Sequence, residues 1–498
     1  MTMSVAPAAV TLATRFTMRP MDETTRSQAS IWSRLLSGFR HPVSILLALS
    51  LLGGGVRLFV MEQTFPVDLT GDEDYYAAVA VNIAAGRGHT YEAASRAFRP
   101  PAHPFLLSLV APDTPSASGE IDDRTLRRFL LVQVALGSVL VLLTGLLGRS
   151  LFDARTGVLA AAIVALYPSA IAFSHYLWSE VLFTVLIAGA IVLALRMERS
   201  TSPLWPVLAG AVFGAATLCR EIALVVAGGF ALWRVWCASP GARKQAWSGG
   251  ALMLVVAVLV VLPWTIRNYR ILERVVPVST IGTFALREGN TFGQGSWLAP
   301  DMESLWRFRD LYFSIDDETR RMDVAGDQAH DLILREQPTW IFKKLVRTFS
   351  GLLTPDSYLF KKVSRGNYGE VDLRLFRPVL AITVTAFLLV TIAGALGVSN
   401  SEKGGRRLLA CVLLGAVFAV HLVSNSASRF RLPWMPLVIV YASHAIVSRR
   451  DLWPCLRGVR RNAATVFILL VLFGCVPFFF ADAISLWTVG SYVDPMRQ

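Results

Sequence analysis

The sequence predicts an all-α polytopic membrane protein. Three observations carry that reading. Of the 498 residues, 54% are hydrophobic, and the mean hydropathy is +0.51. Only 17% are charged, where soluble globular domains have about a quarter. Apolar runs of roughly 17–22 residues, long enough to cross a bilayer, recur along the chain. In that setting the net charge of +13 reports Lys- and Arg-rich cytoplasmic connections rather than a nucleic-acid partner.

The runs give about eleven spanning helices, at 43–61, 129–148, 156–174, 179–197, 204–219, 221–237, 249–266, 376–397, 407–424, 433–447 and 463–481. Basic residues fall in alternate connections: Arg34 and Arg40, Arg149 and Arg155, Arg196 and Arg199, Arg243 and Lys244, Lys403 with Arg406 and Arg407, and the run Arg449, Arg450, Arg457, Arg460 and Arg461. All lie on one side if the N-terminus is cytoplasmic. Residues 1–42, polar and without an early apolar core, read as a cytoplasmic tail, and 43–498 as one transmembrane domain in the plasma (inner) membrane. Two long connections, 62–128 and 267–375, then lie on the outer face. Neither resembles an independent domain. Their short apolar pieces, 104-PFLLSLVA-111 and 340-WIFKKLVRTF-349, suit helices lying in the interface. No matching Gly/Pro-broken halves of the transporter kind are present. The five cysteines show neither metal-ligand spacing nor a disulfide framework, and a divalent metal stays open as a cofactor.

Residues with chemical potential cluster beside the outer membrane edge. In 71-GDEDYYAAVAVNIAAGRGH-89, Thr70 and Glu73 fit a capping box, so a helix is expected from about Gly71. Glu73 then reads as a cap and Asp74 as a surface acid. Asp72 heads a stripe with Tyr76, Val79 and Ile83 and is the candidate catalytic acid. Arg99, fixed by Pro100 and Pro101, is either a snorkelling arginine or a phosphate clamp. His103 follows as a ligand or a structural contact. Glu180 stands at the outer start of a span, where a carboxylate needs a partner or a role; a helix-dipole complement is the simpler account. Arg220, Arg267, Arg429 and Arg431 sit on the outer side against the usual bias of basic residues. Together they suggest an anion site, since the planar fork of arginine suits phosphate.

Taken in order, these segments resemble the GT-C superfamily of integral-membrane glycosyltransferases, on the branch of protein O-mannosyltransferase-like enzymes and lipid A aminoarabinose transferases. The matching stretches are Asp72-Glu73-Asp74-Tyr75-Tyr76, Arg99-Pro100-Pro101, Pro168 to Glu180, Pro263 to Tyr269 with Gly289-Asn290, and Arg429 to Pro436. The resemblance implies a polyprenyl-phosphate sugar donor, a lipid, glycan or protein acceptor, and an inverting displacement on the outer face. It implies Asp72 as base, Glu180 as a second acid positioning the acceptor, and Arg99 as a phosphate contact. His103, Tyr76, Arg220, Arg267, Asn268, Asn290, Arg429 and Arg431 complete the expected binding residues. The aminoarabinose enzymes have an acid just before the basic residue, where this chain has Phe98. The large soluble C-terminal domain of some relatives is not expected here, which leaves acceptor choice to the two outer loops. A flippase or transporter of lipid-linked glycans, or a glycan polymerase, is the alternative. A flippase would need polar groups through the bundle, whereas the spans look nearly free of ionisable residues below their outer ends.

Overall fold

The computed structural model describes residues 42–91, 95–112, 121–293, 300–355, 358–364, 367–368, 373–401 and 405–448. From Leu46 onward the chain forms one compact unit; of the other, Met1–Ile45, only the first turn of a helix is described. The regular structure of the described residues is helical, apart from one isolated bridge between Tyr91 and Ser95. In chain order the helices are α1 Pro42–Thr64, α2 Asp72–Ala84, α3 Ala102–Ser108, α4 Asp123–Leu151, α5 Ala154–Leu166, α6 Pro168–Phe173, α7 Glu180–Leu195, α8 Leu204–Thr217, α9 Ile222–Cys237 and α10 Arg243–Leu272. They continue with α11 Ile281–Gly289, α12 Met302–Ser314, α13 Glu318–Arg335, α14 Trp340–Leu353, α15 Leu359–Ser364, α16 Leu373–Asn400, α17 Arg406–Val423 and α18 Met435–Val447. A 3₁₀ segment, Ser428–Trp434, leads into α18.

Among the described residues, seven helical stretches are long and apolar enough to cross a membrane, and α5, α8 and α9 are shorter apolar helices. These ten occupy the first ten expected spans. The eleventh, 463–481, lies outside the described residues, as do the basic run 449–461 and the tail 1–41. At 1.5 Å per residue, the 14 residues of α8 reach only about 21 Å, short of a hydrocarbon core of about 30 Å. The expected span 156–174 is two helices, because Pro168 has no N–H to give to Val164.

That break is repaired by a residue the sequence reading passed over. Arg57, fully buried in α1, donates to the carbonyls of Val164 (3.1 Å), Ala165 (3.1 Å) and Gly53 (2.9 Å) and to Ser174 Oγ (3.1 Å). His175 Nε2 in turn meets the Arg57 carbonyl at 2.9 Å. The turn that delivers α7 is thereby fixed to α1. Arg234 in α9 is likewise buried and donates to the carbonyls of Met197 (2.9 Å) and Ala246 (3.1 Å). The spans therefore do carry ionisable groups, but these arginines are occupied with backbone carbonyls, among them those of Val164 and Ala165 at the end of α5. Elsewhere the helices close on small residues, the usual contact in a bilayer. A Cβ on Gly157 of α5 would lie 2.5 Å from the Gly145 carbonyl of α4.

The two long connections fold together. Tyr75 and Tyr76 of α2 and Phe98 of the first share one buried cluster with Phe284, Phe308 and Tyr312 of the second. Glu318 joins them in polar terms: its carboxylate accepts from the backbone N–H of Arg96 (2.7 Å) and Ala97 (3.1 Å) and from Thr280 Oγ1 (2.7 Å). Of the expected interfacial helices, 104–111 corresponds to α3 and 340–349 to α14.

Candidate active site

Helix α2 starts at Asp72, with Gly71 at its N-cap and no side-chain cap. Half of the expected capping box forms: the Thr70 N–H donates to Glu73 Oε2 at 3.4 Å, without a side-chain cap in return. Glu73 is fully buried and ion-paired with Lys362, whose ammonium lies over the rings of Tyr176 and Trp178. The acid expected as a cap is also a tie between the two long connections. Asp74 is exposed and accepts from Tyr91 Oη at 3.0 Å.

Asp72 turns the other way, into a group of charges drawn from five separate stretches of sequence. Arg99 Nη2 lies 2.6 Å from its Oδ1, and Arg429 Nη1 lies 2.7 Å from its Oδ2. Arg429 Nε is 3.7 Å from Glu180 Oε1, and Arg220 Nη2 is 2.6 Å from the same oxygen. Ser179 Oγ receives Tyr76 Oη and Arg220 Nε, each at 3.3 Å. Three guanidiniums thus face two carboxylates, leaving one positive charge in excess. Aromatic faces hold the guanidinium planes: Tyr75, Tyr76 and Phe98 around Arg99, Trp178 and Phe430 around Arg429.

Each member is placed by its own local rule. The Pro100-Pro101 turn delivers Arg99, and the Ala102 N–H beyond it bonds the Leu218 carbonyl at 3.0 Å, two residues before Arg220. Gln133, buried within α4, donates to the carbonyls of Tyr176 (2.6 Å) and Trp178 (2.9 Å), fixing the approach to Glu180. Lys344 donates to the carbonyls of Gly289 (2.9 Å) and Ser424 (2.6 Å), anchoring the strand of chain that leads to Arg429.

Burial by itself would raise the Asp72 carboxyl; Arg99, Arg429 and the more distant Arg220 outweigh it and hold the group well below the usual carboxylate range. His103 is buried edge-on against Tyr76, and burial, with Arg220 adding to it, pushes its imidazole down to about 3. It is a neutral ring at physiological pH.

Of the residues singled out in the sequence, Asp72, Tyr76, Arg99, Glu180, Arg220 and Arg429 meet here, with His103 packed behind them. The others do not. Asn268 is buried and gives its amide to the carbonyls of Val276 (3.0 Å) and Val278 (3.1 Å). Asn290 is spent on the Leu286 and Val423 carbonyls and on Trp340 Nε1. Arg431 donates to the carbonyls of Leu352 and Thr354 and lies over Phe387. Arg267 belongs to a separate cleft with Arg87, His89 and Arg96. Residues missed in the sequence were Gln133, Trp178 and Lys362. A lone glutamine in the apolar run 129–148 was a legible signal; Lys362 had none, since its partner lies far away in sequence.

An apolar cavity of about 630 Å³ lies between α14, α16, α17 and α18. Its lining includes Arg431 and Trp434, in the segment that carries Arg429, and Arg407 at the start of α17. As for a metal, no group of three or more His, Cys, Asp or Glu able to hold an ion occurs among the described residues. The two carboxylates here already face arginines, a setting that does not suit a divalent cation.

The helical bundle with its two long connections shares its fold with solved membrane proteins of low sequence identity. The family model described as dolichyl-phosphate-mannose-protein mannosyltransferase matches residues 99–266. The oligosaccharyltransferase of Archaeoglobus fulgidus in its apo form superposes with a TM-score of 0.52 at 15% identity, over 89% of this chain and 56% of that one. The same archaeal enzyme, AglB, in complex with an inhibitory peptide and a dolichol-phosphate gives 0.50 at 16% identity, again over 89% and 56%. ArnT from Cupriavidus metallidurans bound to undecaprenyl phosphate gives 0.45 at 14% identity, over 89% of this chain and 72% of that one. The chain thus spans about half the length of the archaeal enzyme it resembles. A search of curated protein sequences gives no match.

Proposed function

We propose that this protein transfers a sugar from a polyprenyl-phosphate or -diphosphate donor to an acceptor hydroxyl, with inversion, at the Asp72 cluster. The observation that carries the reading is the convergence of Arg99, Arg220 and Arg429 with Asp72 and Glu180, on a segment whose next residues, Arg431 and Trp434, line an apolar cavity. An anionic head and a long apolar tail on one molecule match that juxtaposition. The dolichol-phosphate and undecaprenyl phosphate named for the AglB and ArnT structures are ligands of this kind.

The chemistry follows from the charges. The acceptor oxygen attacks the anomeric carbon, the bond from that carbon to the phosphate oxygen breaks, and the lipid phosphate leaves from the opposite face. Arginines lower the barrier by stabilising charge on the departing phosphate. Asp72 accepts the hydroxyl proton. With both oxygens held by arginines it is a weak base. A donor phosphate competes for Arg99 and Arg429, so donor binding frees the carboxylate it needs. Glu180 keeps Arg220 and Arg429 in place throughout. A flippase would need polar groups exposed along the bundle, and Arg57 and Arg234 are occupied by carbonyls instead.

The test is an assay on purified membranes with a panel of radiolabelled polyprenyl-phosphate sugars, comparing the wild type with Asp72→Asn. Loss of a general base costs about 10²–10⁴-fold in rate, so transfer should fall by that much. Donor affinity should hold or tighten, because the arginines lose a competing anion. Full activity of the variant would remove Asp72 from its role.

A further inference from the structure

The cleft that takes Arg267 away from the cluster has its own logic. It has a volume of about 800 Å³ between residues 87–90 and Arg96 on one side and Phe105 of α3, Leu218 and α10 on the other. Along α10 its wall is formed by Val260, Pro263, Trp264, Arg267 and Ile271, a helical spacing that puts all five on one face. That face changes character along its length: apolar at Val260 and Pro263, basic at Arg267 about 10 Å further on. Arg87 and Arg96 stand opposite and are exposed. Among the described residues no carboxylate lines the cleft. Glu318, which lies beneath it, is occupied by the N–H groups of Arg96 and Ala97 and by Thr280.

Two details show that the cleft is built. Arg87 is aimed by its loop: Gly86 and Gly88 adopt φ of 73° and 76°, which glycine tolerates without strain, and Arg87 Nε donates to Asn82 Oδ1 at 2.8 Å. His89 is 3% exposed, and its Nε2 has no hydrogen-bond partner. Its Nδ1 lies 3.2 Å from the Arg96 carbonyl, which can only accept. The proton is therefore on Nδ1, and Nε2 presents a lone pair. Burial, with Arg267 adding to it, pushes this ring down to about 4, so it stays neutral.

We infer that this cleft binds a second amphiphile, one with a phosphate-bearing head and an apolar chain, separately from the sugar donor. The head lies against the exposed Arg87 and Arg96, with a hydroxyl of the ligand donating to His89 Nε2; Arg267 adds its charge from behind, its Nη1 and Nη2 held by the carbonyls of Arg96 (2.7 Å) and His89 (3.3 Å). The chain lies along Val260, Pro263, Leu218 and Phe105. The site adjoins the Asp72 cluster: Arg96 and Arg99 are three residues apart, at most about 11 Å of extended chain, and Leu218 lines the cleft two residues before Arg220. The inference does not depend on sugar transfer, and failure of the transfer assay leaves it intact.

The experiment uses the full-length protein in phosphatidylcholine nanodiscs and a phosphatidic acid with a diazirine on its acyl chain. Labelling of the peptide covering 259–271 is read by mass spectrometry. Excess unlabelled phosphatidic acid or polyprenyl phosphate should suppress it, and the stronger of the two identifies the source of the ligand. Phosphate-free diacylglycerol should not. Replacing the exposed pair, Arg87→Gln with Arg96→Gln, should cut labelling about five- to ten-fold through the lost charge contacts. Arg243→Gln with Lys244→Gln, at the other end of α10, should leave it unchanged. Equal competition by diacylglycerol, no effect of the first pair, or an equal loss from the second would each overturn the site.

Discussion

Asp72 and Arg99 pull in opposite directions on one experiment. Without the arginine, a donor phosphate loses a charge-assisted contact worth about 1.5–3 kcal/mol, roughly a 10- to 100-fold weaker affinity. Arg99→Ala should therefore raise the donor KM by that factor and leave the acceptor KM nearly unchanged; an unmoved donor KM would end the phosphate-clamp assignment. The same pairing fixes a pH dependence. The folded pKa of Asp72 is depressed, so its carboxylate stays ionised as the pH falls through the ordinary value of 3.8. The stability from the two ion pairs is fully present above that pH and is lost only on further acidification. Because kcat/KM reports the free enzyme, it should show no acid limb from Asp72 between about pH 5 and 8. His103, already neutral in this range, adds none. An acid limb in that window that disappears in Asp72→Glu but not in His103→Gln would contradict the arrangement.

Among the elements, the turn between α5 and α7 matters most for the site, because it sets where Glu180 stands. Arg57 holds it through carbonyls that Pro168 leaves free. Arg57→Met keeps the bulk and removes the donors. Several buried acceptors then lack partners, each costing about 1–3 kcal/mol, so the apparent Tm in detergent should fall by several degrees and transfer should fall with it. An unchanged Tm would mean that water takes over the turn. This also shows what the sequence could and could not reveal. Ten apolar helices were legible, because composition alone sets membrane crossing. The break at Pro168 was readable from a missing N–H, though its repair by Arg57 was not. Asp72, Arg99 and Glu180 stood out because charge is costly beside a membrane. Spacing set Asp72, at the head of a stripe with Tyr76, apart from Glu73, but not their partners: Lys362 and Arg429 both lie far along the chain. Asn268, Asn290 and Arg431 matched the motif yet serve backbone carbonyls, since a motif fixes residue types and not the direction in which they point.

The molecule as a whole is polar in a directional sense. Arg199 donates to the Ser150 carbonyl, Arg406 pairs with Glu198, and Arg234 bonds the Met197 carbonyl. The connections after α4, after α7 and before α17 therefore meet at one end of the bundle, and the Asp72 cluster lies at the other, at the first residues of α7 and beyond the last of α8. Basic connections are retained on the cytoplasmic side, so this separation predicts that the cluster faces outward, where a lipid-linked donor delivered across the membrane would be consumed. Asp74 is exposed near the cluster and Arg199 is exposed at the basic end, which makes them suitable reporters. In a background with the native cysteines replaced, a membrane-impermeant maleimide applied to intact cells should label Asp74→Cys. It should label Arg199→Cys only after permeabilisation. The reverse pattern would put the arginine cluster in the cytoplasm, where the basic connections could no longer obey the charge rule and an outer-face transfer reaction would be untenable. Labelling of both in intact cells would point to leaky cells, which a cytosolic marker protein detects in the same sample.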